Sequence, residues 1–362
     1  MNLTDLGWNS FFKDQFQDGQ PGNQSVGRII NVQKNSFWIC GTDGEYAAKV
    51  SGSFSHKAKG RSDFPVVGDW VIYKWQPGDE YAIIQTLLNR QNAVSRAASG
   101  TANLKNGPVL DEQVMAANID TVFIVSGLDR DFNLRRIERY LTLVYNSQAM
   151  PVIILNKSDL CPNPEEKRVQ VESIALGVPV HLISAHEPGG VDSIKNYLLP
   201  GYTATLLGSS GVGKSTIINA LIGAERQKVR TISKHVGKGT HTTTSRELIY
   251  LPDGGMIVDN PGVREIQLFD SEEGFGAAFD DVERLALNCR FSNCSHTFEP
   301  GCAVQEAIED GHIDSGRLQN YQKLKKELHY DSERQVKSSN RIEKEKWKKI
   351  KIMQKNFKKS RY

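Results

Sequence analysis

Hydrophobic and polar positions fall into two successive patterns along the chain. From about Gly27 to Leu88, the runs "GRIINV", "SFWICGT", "EYAAKV", "DWVIYKW" and "YAIIQTL" are rich in β-branched and aromatic residues and are separated by Gly, Asp, Ser and Pro. Such spacing predicts short strands joined by turns. Five of them make a small barrel, with the OB-fold as the natural candidate. The loop "FSHKAKGRSDFP" carries Lys57, Lys59 and Arg61, which either meet phosphates or only solubilise the loop. From Arg90 to about Asn118 the periodicity is lost, and "SRAASGTANLKNGP" reads as a connector.

Beyond it, strand and helix patterns alternate. "DTVFIVSGL" and "PVIILNKSD" read as buried strands, and between them "LRRIERYLTLVY" sets Leu134, Ile137, Leu141 and Val144 on one helical face. "VPVHLISA", a helix near "VDSIKNYL", "TATLLG", a helix opening at Lys214, "RELIYLP" and "GMIVDNPG" follow. This alternation predicts an α/β domain with a mainly parallel sheet. "FGAAFDDVERLAL" and "VQEAIED" read as helices near the end.

Bulk properties narrow the setting. At 362 residues the chain exceeds what one core organises, so several domains are expected. Its 39% apolar and 24% charged content is that of a soluble globular chain, and no run nears the roughly 18 apolar residues needed to span a bilayer. The start "MNLTDLGWNSFFKDQF" lacks the basic and apolar blocks of a secretory signal, so the cytoplasm is the expected compartment; a monomer is expected there. Net charge is +3, yet Arg341 to Tyr362 carry ten Lys or Arg against two Glu, a local +8 that leaves residues 1–340 near −5. This basic tail is either a solvated end or an RNA-binding segment, since Ile350, Met353 and Phe357 recur at helical spacing among its lysines, with Trp347 nearby.

The chemistry concentrates in the α/β region. "GSSGVGKST" (Gly208, Ser209, Ser210, Gly211, Val212, Gly213, Lys214, Ser215, Thr216) matches the phosphate-loop pattern between a strand and a helix. There, backbone N–H groups and a helix N-terminus converge on phosphate, Lys214 reaches the β and γ phosphates, and Ser215 holds Mg2+. "DNPG" ends a later strand, with Asp259 set for the magnesium shell and the Gly262 N–H for the γ-phosphate. Between them, "KVRTISKHVGKGTHTTTSREL" is long and polar; Thr242 to Thr244, Thr243 among them, either complete a switch around the γ-phosphate or simply begin the next strand.

"NKSD" (Asn156, Lys157, Ser158, Asp159) supplies base choice. The Asp159 carboxylate can accept from both the ring N–H and the exocyclic amine of guanine, donors that adenine lacks there. Asn156 braces the loop, Lys157 covers the ring plane, and Ser184 and Ala185 of "ISA" offer a backbone N–H to the guanine oxygen. These base-reading segments precede the phosphate loop, the reverse of the usual order. Loops at the carboxyl ends of parallel strands meet whatever their order in the chain, so a circularly permuted domain keeps its site.

The succession of "NKSD", "SA", "GSSGVGKST", "GKGTHTTTSREL" and "DNPGVRE" resembles the circularly permuted GTPases of the RsgA family, and the likeness extends over nearly the whole chain, including "VVGDWV" in the barrel. The resemblance, which leaves out only the start and the basic tail, implies an OB-fold β-barrel, a circularly permuted P-loop GTPase domain and a zinc-binding helical domain; the expected division is an N-terminal extension and barrel (1–95), a connector (96–118), the GTPase domain (119–272), the helical domain (273–335) and the basic tail (336–362). It further implies GTP hydrolysis to GDP stimulated by the small ribosomal subunit, contact with its rRNA, and a role in that subunit's late maturation.

"CRFSNCSHTFEPGC" brings Cys289, Cys294, His296 and Cys302 within fourteen residues, a ligand set suited to one structural Zn2+. The family shares this spacing. In the hydrolytic mechanism water attacks the γ-phosphate with charge stabilised by Lys214, Mg2+ on Ser215 and donors near Gly262. Val263 stands where many switch GTPases carry a water-orienting glutamine; His241 is a candidate substitute, a role the resemblance supports. The rival reading is an RNA-binding assembly factor that binds nucleotide without turning it over. An ATPase conflicts with "NKSD".

Overall fold

The computed structural model describes residues 2–16, 24–33, 36–97, 112–223, 246–259 and 272–336. The five expected barrel strands form as β1 (Gln24–Gln33), β2 (Ser36–Gly41), β3 (Gly44–Val50), β4 (Trp70–Lys74) and β5 (Ala82–Leu87). They pair in the order β1-β2-β3-β5-β4, and β4 returns to β1 to close the barrel. The β3–β5 contact is parallel and the others antiparallel. Alternation along the strands turns Ile29, Ile39, Ala48, Val71, Ala82 and Ile84 inward, and all are fully buried. A short helix, α1 (Ser10–Lys13), precedes the barrel, and α2 (Gly52–Lys57) links β3 to β4, its start capped by Ser51 Oγ accepting from the Phe54 N–H at 3.1 Å.

The stretch expected to be an aperiodic connector contains two paired strands, β6 (Ala93–Ala97) and β7 (Glu112–Ala117). Short strands flanking a long polar insertion leave little periodicity for a sequence reading to detect.

The α/β region is built on β8 (Thr121–Gly127), β9 (Met150–Asn156), β10 (Val180–Ile183), β11 (Thr203–Leu207), β12 (Arg246–Tyr250) and β13 (Met256–Asp259). Their spatial order is β10-β9-β8-β11-β13-β12, parallel from β10 to β13 with β12 antiparallel at the end. Helix α3 (Leu134–Asn146) follows β8; Asn133 Oδ1 caps it by accepting from the Arg136 N–H at 3.1 Å, and of the expected face Ile137, Leu141 and Val144 are buried while Leu134, at the first position, is half-buried. Helix α4 (Pro164–Glu172) follows β9, and the segment near "VDSIKNYL" is a 3-10 helix, Asp192–Tyr197. Helix α5 (Lys214–Ile222) buries Ile217, Ile218, Leu221 and Ile222 against the sheet.

The barrel and the α/β sheet are continuous. β12 pairs antiparallel with β1, placing Asn31 opposite Glu247 and Val32 opposite Arg246, so eleven strands form one hydrogen-bonded surface. Arg28 fastens the same junction from within. Its buried guanidinium donates to the carbonyls of Leu6 (2.6 Å), Asn118 (2.9 Å) and Gly68 (3.1 Å), and burial lowers its pKa to about 10.

By packing, the described residues divide into two compact units: those up to 96, 114–259 and 273–278 fall in the first, and those from 279 to 336 in the second. The described helices of the second are Asp280–Ala286, Ala303–Glu309 and Ser315–Val336. The run "FGAAFDDVERLAL" is thus two helices, Glu272–Ala278 and Asp280–Ala286, broken at the fully buried Phe279. Within the second unit Arg317 grips Asp281 through two 2.7 Å hydrogen bonds and Tyr321 donates to Glu283 at 2.8 Å, tying the long helix to the first.

Candidate nucleotide site and metal centre

All parallel strands of the α/β sheet present their carboxyl ends at one edge, where ligands bind in such folds. The phosphate loop runs there from β11 into α5. Gly208, Gly211 and Gly213 have φ of +158°, +85° and +101°. At two of them space is also closed: a Cβ would lie 2.4 Å from the Val125 carbonyl oxygen at Gly208 and 2.2 Å from Asn156 Nδ2 at Gly213. Only glycine satisfies both the backbone and the packing.

The base-reading loop touches that loop directly. Asn156, at the end of β9 and 3% exposed, donates from Nδ2 to the Val212 carbonyl at 2.9 Å and accepts at Oδ1 from the Ala185 N–H at 3.2 Å. One amide therefore joins "NKSD", "SA" and "GSSGVGKST". Lys157, held at φ +65°, donates from Nζ to the Gly211 carbonyl at 2.7 Å and pairs with Asp129 at 2.6 Å. The next residues of the signature, Ser158 and Asp159, open a 3-10 helix, with the Asp159 side chain exposed at the edge. Ser184 is 4% exposed, and its Oγ has no hydrogen-bond partner among the described residues.

At the phosphate end, Lys214 Nζ donates to the carbonyls of Ser209 (2.6 Å) and Gly208 (2.7 Å). Ser210 and Ser215 are exposed, and Thr216 lies in the first turn of α5. β13 runs beside β11 and ends in Asp259; burial raises its carboxyl pKa and the Lys214 charge opposes that rise. A half-desolvated carboxylate that feels the Lys214 charge, together with the serine hydroxyl that follows Lys214 at the helix start, is an oxygen donor set whose chemistry fits a hard divalent cation such as Mg2+. His241, Thr243 and Gly262 lie outside the described residues, as do the other switch threonines and the basic tail.

Comparison with known proteins agrees with this geometry. The family model for RsgA GTPase matches residues 87–269. The chain belongs to the RsgA GTPase family. A protein named Small ribosomal subunit biogenesis GTPase RsgA from Syntrophotalea carbinolica is 44% identical over 330 residues, covering 91% of this chain and 90% of that protein. One of the same name from Opitutus terrae is 42% identical over 359 residues, covering 97% and 96%. The crystal structure of YjeQ from Thermotoga maritima superposes with a TM-score of 0.61 at 27% identity, covering 84% of this chain and 98% of that one. The structure of YloQ, a circularly permuted GTPase, gives a TM-score of 0.58 at 23% identity over 87% and 99%, a likeness of fold. This RsgA-family chain is accordingly a GTP hydrolase with a circularly permuted domain.

Its second unit gathers Cys289, Cys294, His296 and Cys302, whose ligand atoms all lie within 4.8 Å of one another. Cys289 Sγ is 3.9 Å from Cys302 Sγ, and His296 Nδ1 is 3.6 Å and 3.5 Å from those two sulfurs. A tetrahedral zinc with metal–sulfur bonds of about 2.3 Å requires ligand separations of about 3.8 Å, so the cluster fits that ion. The His296 carbonyl accepts from Gln305 Nε2 at 2.6 Å, which fixes the ligand loop to the helix Ala303–Glu309.

Sequence reasoning missed the loop after β8. Asp129, Asp131 and Arg136 reach Lys157 and Ser209 from that loop and the start of α3. "GLDRDF" looks like an ordinary polar loop; the only available signal was its place after a buried strand next to the one that ends in "NKSD".

Proposed function

We propose that this chain is a GTPase that binds the small ribosomal subunit, contacts its rRNA, and acts in late maturation of that subunit with ribosome-stimulated turnover. The relatives named for small ribosomal subunit biogenesis support the setting, since they match at 40% identity or more over nearly their full lengths. The observation that carries the chemical reading is the Asn156 side chain, which ties the guanine-reading segments to the phosphate loop.

In this reading Asp159 receives the guanine N–H donors, Ala185 offers its backbone N–H to the base oxygen, and residues 208–216 wrap the phosphates. Lys214 exchanges the Gly208 and Ser209 carbonyls for phosphate oxygens. Water attacks the γ-phosphorus, the bond to the β-phosphate bridging oxygen breaks, and GDP and phosphate leave. Ser215 and Asp259 are the groups that would hold Mg2+, which neutralises charge on the phosphates when bound. Thr243 and the Gly262 N–H complete the γ-phosphate shell, and His241 orients the water. Cys289, Cys294, His296 and Cys302 hold one structural Zn2+.

We retain the division into barrel (1–95), connector (96–118), permuted domain (119–272), helical domain (273–335) and basic tail (336–362), in a cytoplasmic monomer. Among the described residues no helix is long and apolar enough to cross a membrane. The deciding experiment measures GTP turnover by the full chain with and without purified small ribosomal subunits. Strong stimulation is expected. Tight guanine-nucleotide binding with no turnover in either condition would instead establish the assembly factor that binds without hydrolysis.

A further inference from the structure

The phosphate loop of this chain is held from outside by a charged pair that the nucleotide-site motifs do not include. Arg136, in the first turn of α3, donates from one terminal nitrogen to both Asp131 Oδ1 and Ser209 Oγ. The Ser209 hydroxyl in turn donates to Asp131 Oδ2 at 3.1 Å. Two side chains, one from the loop and one from the helix, therefore converge on a single serine of the phosphate loop.

That serine is also where the phosphate-binding lysine rests, because its carbonyl accepts from Lys214 Nζ at 2.6 Å. Fixing the hydroxyl end of Ser209 fixes the peptide that carries this carbonyl. The same loop reaches the other half of the site: Asp129 Oδ1 accepts from the Asp131 N–H at 2.9 Å while Asp129 Oδ2 holds Lys157 Nζ. β8, which supplies the loop, lies between β9 and β11. The spatial order of the strands thus leaves the loop standing between base-reading and phosphate-reading segments.

We propose that Asp131 and Arg136 are positioning residues for GTP hydrolysis, setting Ser209 and, through its carbonyl, the station from which Lys214 meets the phosphates. The inference rests on the reading of this site as a GTP site. Apolar packing explains the arrangement less well: the Arg136 and Asp131 side chains are 35% and 27% exposed, and both Asp131 oxygens and one Arg136 nitrogen are engaged with each other and with Ser209. The pair's worth lies in geometry, since a partly exposed ion pair adds little stability of its own.

The test uses the full chain and its turnover without ribosomes, with fluorescent GTP and GDP analogues for affinity. Arg136→Gln, Asp131→Asn and Ser209→Ala are each expected to lower kcat about tenfold, the loss of one charge-assisted contact, while changing GDP affinity by less than about threefold. Arg136→Lys should recover part of the loss, and Ser209→Ala combined with Arg136→Gln should be no worse than either alone, as expected for groups acting through one contact. Unchanged kcat in all three variants, or losses that multiply in the double variant, would overturn the inference. So would equal falls in GTP and GDP affinity accompanied by a lower melting temperature, which mark a purely structural role. A wild-type chain that bound no guanine nucleotide would overturn the underlying reading of the site, and the inference with it.

Discussion

Asn156 reaches across the sheet edge and donates to the Val212 carbonyl at 2.9 Å, though fifty-six positions separate the two in the chain. Its other amide atom accepts from Ala185, so the residue is the shared fastening of three loops. Asn156→Ala would leave the buried Val212 carbonyl and Ala185 N–H without these partners, at about 1–3 kcal/mol for each buried group. Affinity for GTP and GDP should fall together by tenfold or more, measured by calorimetric titration. Unchanged affinity for both would show that the fastening does not shape the site.

Base choice rests on a different atom. The Asp159 carboxylate is exposed at the edge, open to incoming donors. Asp159→Asn exchanges one acceptor oxygen for a donor, which opposes the guanine N–H groups and suits the extra carbonyl of xanthine. Competition binding should show guanine affinity falling by tenfold or more and xanthine affinity rising. Retained guanine preference would remove Asp159 from the pocket.

The phosphate and base motifs were legible because their chemistry forces residue types at fixed spacing: Gly208 and Gly213 sit where any Cβ would collide, and Asn156 where only an amide can both donate and accept. The barrel was legible because half-buried strands must alternate, as Ile29, Ile39 and Ile84 do. Long-range pairing was not. The β1–β12 contact that merges the two sheets depends on edge hydrogen bonds between backbones, which impose almost nothing on side-chain identity. Arg28 reads as a surface charge in "GRIINV", yet it lies buried because three backbone carbonyls converge on it. Likewise Asp131 and Arg136 look like solvated charges until the fold brings Ser209 to them.

The Cys3His cluster leads to a prediction about stability. Metal binding to such sites contributes apparent free energies of about 10–16 kcal/mol, comparable with or larger than the whole stability of a small module. Chelation, or Cys302→Ser, should release about one zinc per chain by elemental analysis and expose residues 279–336 to limited proteolysis. Proteolytic resistance that survives complete zinc loss would mean that the Arg317–Asp281 and Tyr321–Glu283 contacts suffice to hold the helices.

The seam between barrel and α/β sheet carries a proton-linked strain. Glu45 on β3 is half buried, and Oε1 has no hydrogen-bond partner among the described residues. Burial first, and the Glu247 carboxylate on β12 second, raise its pKa to about 7. Among the described residues, Cys40 on β2, opposite Glu45 in the strand register, and Tyr250 on β12 also feel its charge, and neither supplies a cation. Since the folded state holds this proton more tightly than the unfolded chain, stability must fall as pH rises between about 4.5 and 7, and level off above that for this group. Glu45→Gln fixes the neutral form. Melting curves of wild type and variant should therefore nearly coincide below pH 4.5 and separate steadily up to pH 7.5, with the variant the more stable. A difference between the two that did not change with pH would mean that Glu45 titrates in the folded protein as it does in water.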